Sequence, residues 1–213
     1  MKTHTEIKNE LLEALAVVVD EPLKQVGFVR KKGSITYSRR LNDAGQQIAF
    51  VMDCFPKYQP GAEAHIHPML LLKMPQVSEK ALALVNGDNM LLAGAPEIIV
   101  NQPIEFTAPK DKHQRWFATG NEQFVAASES IQAFLARWVL PFLSEVSKPL
   151  DLVKLYETND SRVMKQKHWH IFIAAAYQVL GQPDKAREVV QQQFGSLGLR
   201  KLYAPLFESL SIE

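Results

Sequence analysis

Residues 27–55 read GFVRKKGSITYSRRLNDAGQQIAFVMDCF, and this stretch decides the fold. It alternates apolar and polar side chains between turn-forming residues, which predicts a three-strand antiparallel meander. The strands run Phe28 to Lys31, Ser34 to Leu41 and Gln46 to Phe55, with a tight turn at Lys32-Gly33 and a four-residue turn at Asn42 to Gly45. That register sets Phe28 opposite Tyr37, Tyr37 opposite Phe50, and Ile35 between Arg30 and Met52. Side chains alternate faces along a strand. Phe28, Ile35, Tyr37, Ile48, Phe50 and Met52 therefore share a core face, while Val29, Lys31, Arg40, Gln47, Val51, Asp53 and Phe55 lie on a mixed, open one.

Working outward, Ile7, Leu11, Leu15 and Val18 repeat at helical spacing, which predicts a helix over Thr5 to Val26 lying on that sheet. Pro22 predicts a kink or restart near Asp20. Downstream, a strand is expected over Ala64 to Met74, at an edge or with a bulge because of Pro68. A helix capped by Ser78 follows, then short strands over Glu97 to Val100, Ile104 to Thr107 and His113 to Ala118. Asn121 opens the strongest helical pattern, in which Phe124, Ile131, Leu135, Trp138 and Phe142 line one face until Pro141 bends or ends it. Beyond Lys148-Pro149 only helical patterns remain. The expectation is an α+β fold: an antiparallel sheet of about five to seven strands against the first and the long central helix, over residues 1–147, then a helical subdomain over 148–213.

The 213-residue chain is 46% hydrophobic and 22% charged, ample for a core. A formal net charge of +1 gives no bulk reason to expect nucleic acid. Cys54 stands alone, so no disulfide forms within the chain, and a reducing, cytoplasmic setting is expected. The longest apolar runs, Ala14 to Val19 and Met69 to Leu72, are too short to span a bilayer, so no membrane partner is expected.

Two resemblances follow from these residues. Leu23, Gly27, Phe28, the basic run Arg30-Lys31-Lys32, Tyr37 and Arg39 resemble an uncharacterised bacterial family carried as a domain of unknown function. That resemblance implies an α+β fold and brings no activity. Ala174-Ala175-Ala176-Tyr177 with Leu180-Gly181-Gln182-Pro183-Asp184 resembles one tetratricopeptide-type helical hairpin. A single unit implies a helix pair rather than a repeat array.

No phosphate loop, dinucleotide fingerprint, nucleophile elbow or zinc-protease motif is present, so no catalytic residue and no cofactor is assigned. His65 and His67 lie two apart on one strand and share the open face with Asp53. This donor set suits zinc or iron, although the pattern itself favours solvent-facing histidines beside a proline bulge, and no metal is assigned. With Arg40 at the margin, Asp53, His65 and His67 are the candidate ligand-binding residues. Arg30, Lys31 and Lys32 form a candidate basic patch, with edge-strand charge as the plainer reading. Arg39 falls among core-facing residues and is expected to pair with Glu63, Glu97 or a carboxylate of the first helix. His168 and His170 point to different helix faces, and Cys54 points inward as a filler. The leading functional expectation is a non-enzymatic binding module of the immunity or accessory type with a protein partner. The alternative is a small-ligand or metal-dependent enzyme using the open sheet face.

Overall fold

The computed structural model describes residues 2–212 and shows an α+β fold. In chain order its elements are α1 (His4–Val18), α2 (Asp20–Gln25), β1 (Val29–Arg30), β2 (Thr36–Leu41), β3 (Ala44–Cys54), β4 (Ala64–Lys73), α3 (Pro75–Leu84), β5 (Val100–Pro103), β6 (Trp116–Ala118), α4 (Asn121–Phe134), α5 (Leu140–Glu145), α6 (Pro149–Glu157), α7 (Lys167–Val179), α8 (Pro183–Phe194), α9 (Leu197–Leu202) and α10 (Ala204–Ser209). The six strands pair in the order β1-β2-β3-β4-β5, with β6 also on β4.

Two compact units make up the chain: residues 2–40, 46–71 and 102–144 form the first, and 41–45, 72–101 and 145–212 the second. The helical unit thus takes in α3 and the segment before β5, which the sequence pattern had grouped with the sheet.

In the first unit, Thr3 and Glu6 close a capping box that starts α1. The helix breaks at Val19 and restarts at Asp20, with Pro22 in the first turn of α2. There the missing N–H costs nothing. Ile7, Leu11 and Leu15 of α1 are fully buried, and α1 packs on α4, which packs on β6. The sheet is one-sided. Along β3 and β4 buried residues alternate with half-buried ones, and Phe28, Tyr37, Ile48, Phe50, Ile66 and Leu70 make its core face.

Both hairpins pair two residues out of the expected register. Arg30 lies opposite Tyr37 and Val29 opposite Ser38. Phe50 N donates to Ile35 O at 2.9 Å, as a two-residue Asn42-Asp43 turn requires, with Asn42 at φ 52°. A slip of one residue would exchange the faces; a slip of two preserves them. This is why the core assignment survives the wrong turn length.

Other expectations change. Ile104–Thr107 is a 3-10 turn, closed by the Thr107 hydroxyl on Ile104 O at 2.7 Å, and not a strand. Pro68 is not on an edge strand, because β4 pairs with β3, β5 and β6. It lies between Ala64–Ile66, the partners of β6, and Leu72, whose carbonyl accepts from Ile99 N at 2.9 Å. Gly120, not Asn121, caps α4. A π-turn at Leu135–Val139 precedes Pro141. It relieves the clash that a proline ring makes with the preceding turn.

In the second unit, α7 packs against α3, α6 and α8, and every residue from Trp169 to Tyr177 is buried. Gly181, at φ 70°, turns the chain from α7 into α8. Ser78 lies inside α3 rather than capping it, since Pro75 starts the helix. Residues 163–166 precede α7 instead of opening it.

Candidate metal centre on the open face

The long strands β3 and β4 bring three ligand-type side chains together. Phe55 N donates to Glu63 O at 2.8 Å, and counting back along both strands sets Asp53 opposite His65. His65 in turn lies opposite Phe117 of β6. One row across the sheet is therefore Asp53, His65, Phe117. His67 follows two residues along β4 and shares their face. Asp53, His65 and His67 each offer a ligand atom within 4.8 Å of the others. Asp53 Oδ2 is 3.8 Å from His67 Nδ1, too long for a hydrogen bond.

Tyr58, in the loop after β3, closes over this row. Its hydroxyl lies 3.3 Å from Asp53 Oδ2 and 2.8 Å from His65 Nδ1. One hydroxyl hydrogen donated to the carboxylate leaves the oxygen to accept from His65 Nδ1–H. That arrangement leaves the lone pair on His65 Nε2. Phe117 stacks on the His65 ring at 4.6 Å and 22°, and Tyr58 meets it edge-on at 5.7 Å. Partial burial, then the neighbouring His67, lowers the His65 pKa, which favours the neutral ring that a metal needs. Burial, then the Asp53 charge, raises the Tyr58 pKa and keeps it a phenol. The face is open here, with the Asp53 side chain 57% exposed.

Two polar atoms in this part of the unit are buried without a hydrogen-bond partner: His67 Nδ1 and Glu105 Oε2. Burial pushes the Glu105 pKa up, against the opposing pull of His113, His67 and Arg115. Native structures leave few such groups unsatisfied.

The remaining expected site residues are elsewhere. Arg40 is exposed on the strand end beside the Asn42-Asp43 turn, on the order of 25 Å along the sheet from Asp53, because sharing a face does not bring distant strand positions together. Arg30 is not part of a solvent patch. It holds Asp20 through Nε at 2.8 Å and Nη2 at 2.6 Å, and its side chain is 10% exposed. Lys31 and Lys32 are exposed but line a groove shared with Glu13 and Asp20, so that surface is of mixed sign. Among the described residues Arg39 pairs with no carboxylate. Its Nε donates to Gln46 Oε1 at 2.7 Å, its Nη1 to Val26 O at 2.8 Å, and its guanidinium covers the Phe28 ring at 4.5 Å. Cys54 is half-buried, and burial with the Asp53 charge raises its thiol pKa, the opposite of nucleophile activation.

Tyr58, Phe117, Arg115 and Glu105 were not legible as site residues. Tyr58 lay in a proline-flanked loop, and the other three needed the β4–β6 register or the 3-10 turn. No family model, curated protein or solved structure matches the chain.

Proposed function

We propose that the first unit binds one divalent transition-metal ion, of the zinc or iron class, through Asp53, His65 and His67. The observation that carries this reading is the convergence of two imidazoles and a carboxylate within 4.8 Å on an accessible face, with His67 Nδ1 buried and unpartnered. Metal–ligand bonds of about 2.1 Å place tetrahedral ligand atoms about 3.4 Å apart, so the widest ligand pair needs to close by up to about 1.4 Å. Three protein ligands leave a coordination position for water or a small molecule, the arrangement of reactive rather than purely structural sites. The Tyr58 hydroxyl orients both Asp53 and His65, as outer partners of metal ligands do. Calorimetric titration of the metal-free protein with zinc, and separately with ferrous iron under anaerobic conditions, tests it. One equivalent of either should bind, and His67→Gln should abolish binding while leaving the circular dichroism spectrum unchanged. Binding that is absent, or unaltered by His67→Gln and Asp53→Asn, would exclude the site.

A protein-interaction role is the second reading. It is supported by Leu197 and Leu202, two leucines of α9 that are 78% and 61% exposed. If Leu197→Ser and Leu202→Ser leave a purified complex with a native partner intact, that helix is not the contact.

A further inference from the structure

We infer that the metal site takes a small oxyanion, a carboxylate or a phosphate, held between the ion and the Arg115 guanidinium. The inference rests on the metal reading and adds the class of ligand.

The β4–β6 pairing ends at Ile66 opposite Trp116, so Arg115, the residue just before β6, enters the sheet beside the end of that ladder, next to His67. Two residues on, Phe117 stacks on the His65 ring at 4.6 Å, so Arg115 enters the sheet close to the His65 and His67 row. Its positive charge acts on His65 and on Tyr58 and Glu105 nearby. Arg115 is exposed and, among the described residues, makes no ion pair or hydrogen bond. Most other arginines of this unit are committed: Arg30 to Asp20, Arg39 to Gln46 and Val26, and Arg137 over the Trp138 ring. An uncommitted guanidinium just before β6, beside a metal site with an open position, makes a two-point receptor. One oxygen of the anion takes the vacant coordination position, and the planar N–H fork takes another. Tyr58 and Phe117 meet each other at 6.4 Å and both pack on His65, which walls that side of the site.

The test uses the full chain loaded with one equivalent of zinc, titrated calorimetrically with inorganic phosphate and, in a second arm, with malonate. At least one of the two should bind the loaded protein and not the metal-free protein. Arg115→Ala should keep the zinc stoichiometry and weaken that anion at least tenfold, while Arg115→Lys restores only part of the loss. The stronger arm identifies the class. Zinc binding without anion binding, or anion binding indifferent to Arg115→Ala, overturns the inference and leaves the metal reading standing. Failure of zinc to bind removes both.

Discussion

Replacing Asp20 with Asn tests how the kinked N-terminal helices are fixed to the meander. Asp20 Oδ1 accepts from Arg30 Nε at 2.8 Å and from the Tyr37 hydroxyl at 2.5 Å, and Oδ2 accepts from Arg30 Nη2 at 2.6 Å. An amide at position 20 sets a donor against a donor on one side and leaves a guanidinium that is only 10% exposed without a counter-charge, with Ser34 O at 3.0 Å and the amide oxygen as its remaining acceptors. Breaking a fully buried pair by removing one partner costs about 3–5 kcal/mol. The Asp20 side chain is 39% exposed, so water recovers part of this and the expected loss is about 2 kcal/mol. With a urea m-value of roughly 2 kcal/mol/M, the midpoint should fall by about 1 M at pH 7. Burial opposes the Asp20 charge, but the hydrogen bonds from Arg30 and Tyr37 outweigh it and lower the pKa in the folded state. A lowered folded pKa means the stabilisation is present above the unfolded value of about 3.9 and is lost as pH falls through the folded one. The gap between the wild type and Asp20→Asn should therefore narrow below about pH 4. Adding Arg30→Met to Asp20→Asn should cost less than the sum of the two single changes, since the unpaired charge is gone. A midpoint shift under about 0.2 M at pH 7, or one that stays constant across pH, would refute the reasoning.

Other outcomes follow from buried groups. Ser128 and Ser78 hydroxyls are buried in α4 and α3 without partners, so Ser128→Ala and Ser78→Ala should each raise stability by about 0.5–1 kcal/mol, read as a higher urea midpoint. His170 is buried, and burial lowers its pKa, so the second unit keeps its full stability above about pH 6.5 and loses part of it as pH falls through the lowered value. His170→Phe should flatten that acid-side loss in urea midpoints taken at pH 7 and pH 5. Tyr58→Phe removes the hydroxyl that orients His65 and Asp53, and should weaken zinc by about 10-fold with the fold intact, measured by competition with a chelating dye.

The sequence made the sheet legible because period-two alternation survives errors in turn length. Phe28, Tyr37 and Phe50 reach the core through either register, since a slip of two keeps the faces. The same tolerance hid the lateral neighbours. Alternation placed Asp53, His65 and His67 on one face, but only the pairing of Phe55 with Glu63 sets Asp53 beside His65, and that of His65 with Phe117 brings in the stacking ring. It also kept Arg40 among the candidates, although nothing in a face assignment measures distance along a strand. Asp20 read as a helix start; its bonds to Arg30 and Tyr37, ten and seventeen residues on, are tertiary and have no local signature. Arg39 looked as though it needed a carboxylate, yet an amide, a backbone carbonyl and an aromatic face hold it.

Histidine ring nitrogens report the metal centre directly. The chain has 6 histidines, and two of them belong to the proposed site. In a long-range nitrogen–proton correlation spectrum, one equivalent of zinc should move the ring nitrogens of His65 and His67 and leave those of His4, His113, His168 and His170 in place. Zinc that moves neither His65 nor His67, or moves all six alike, would contradict the assignment of a metal centre to this face.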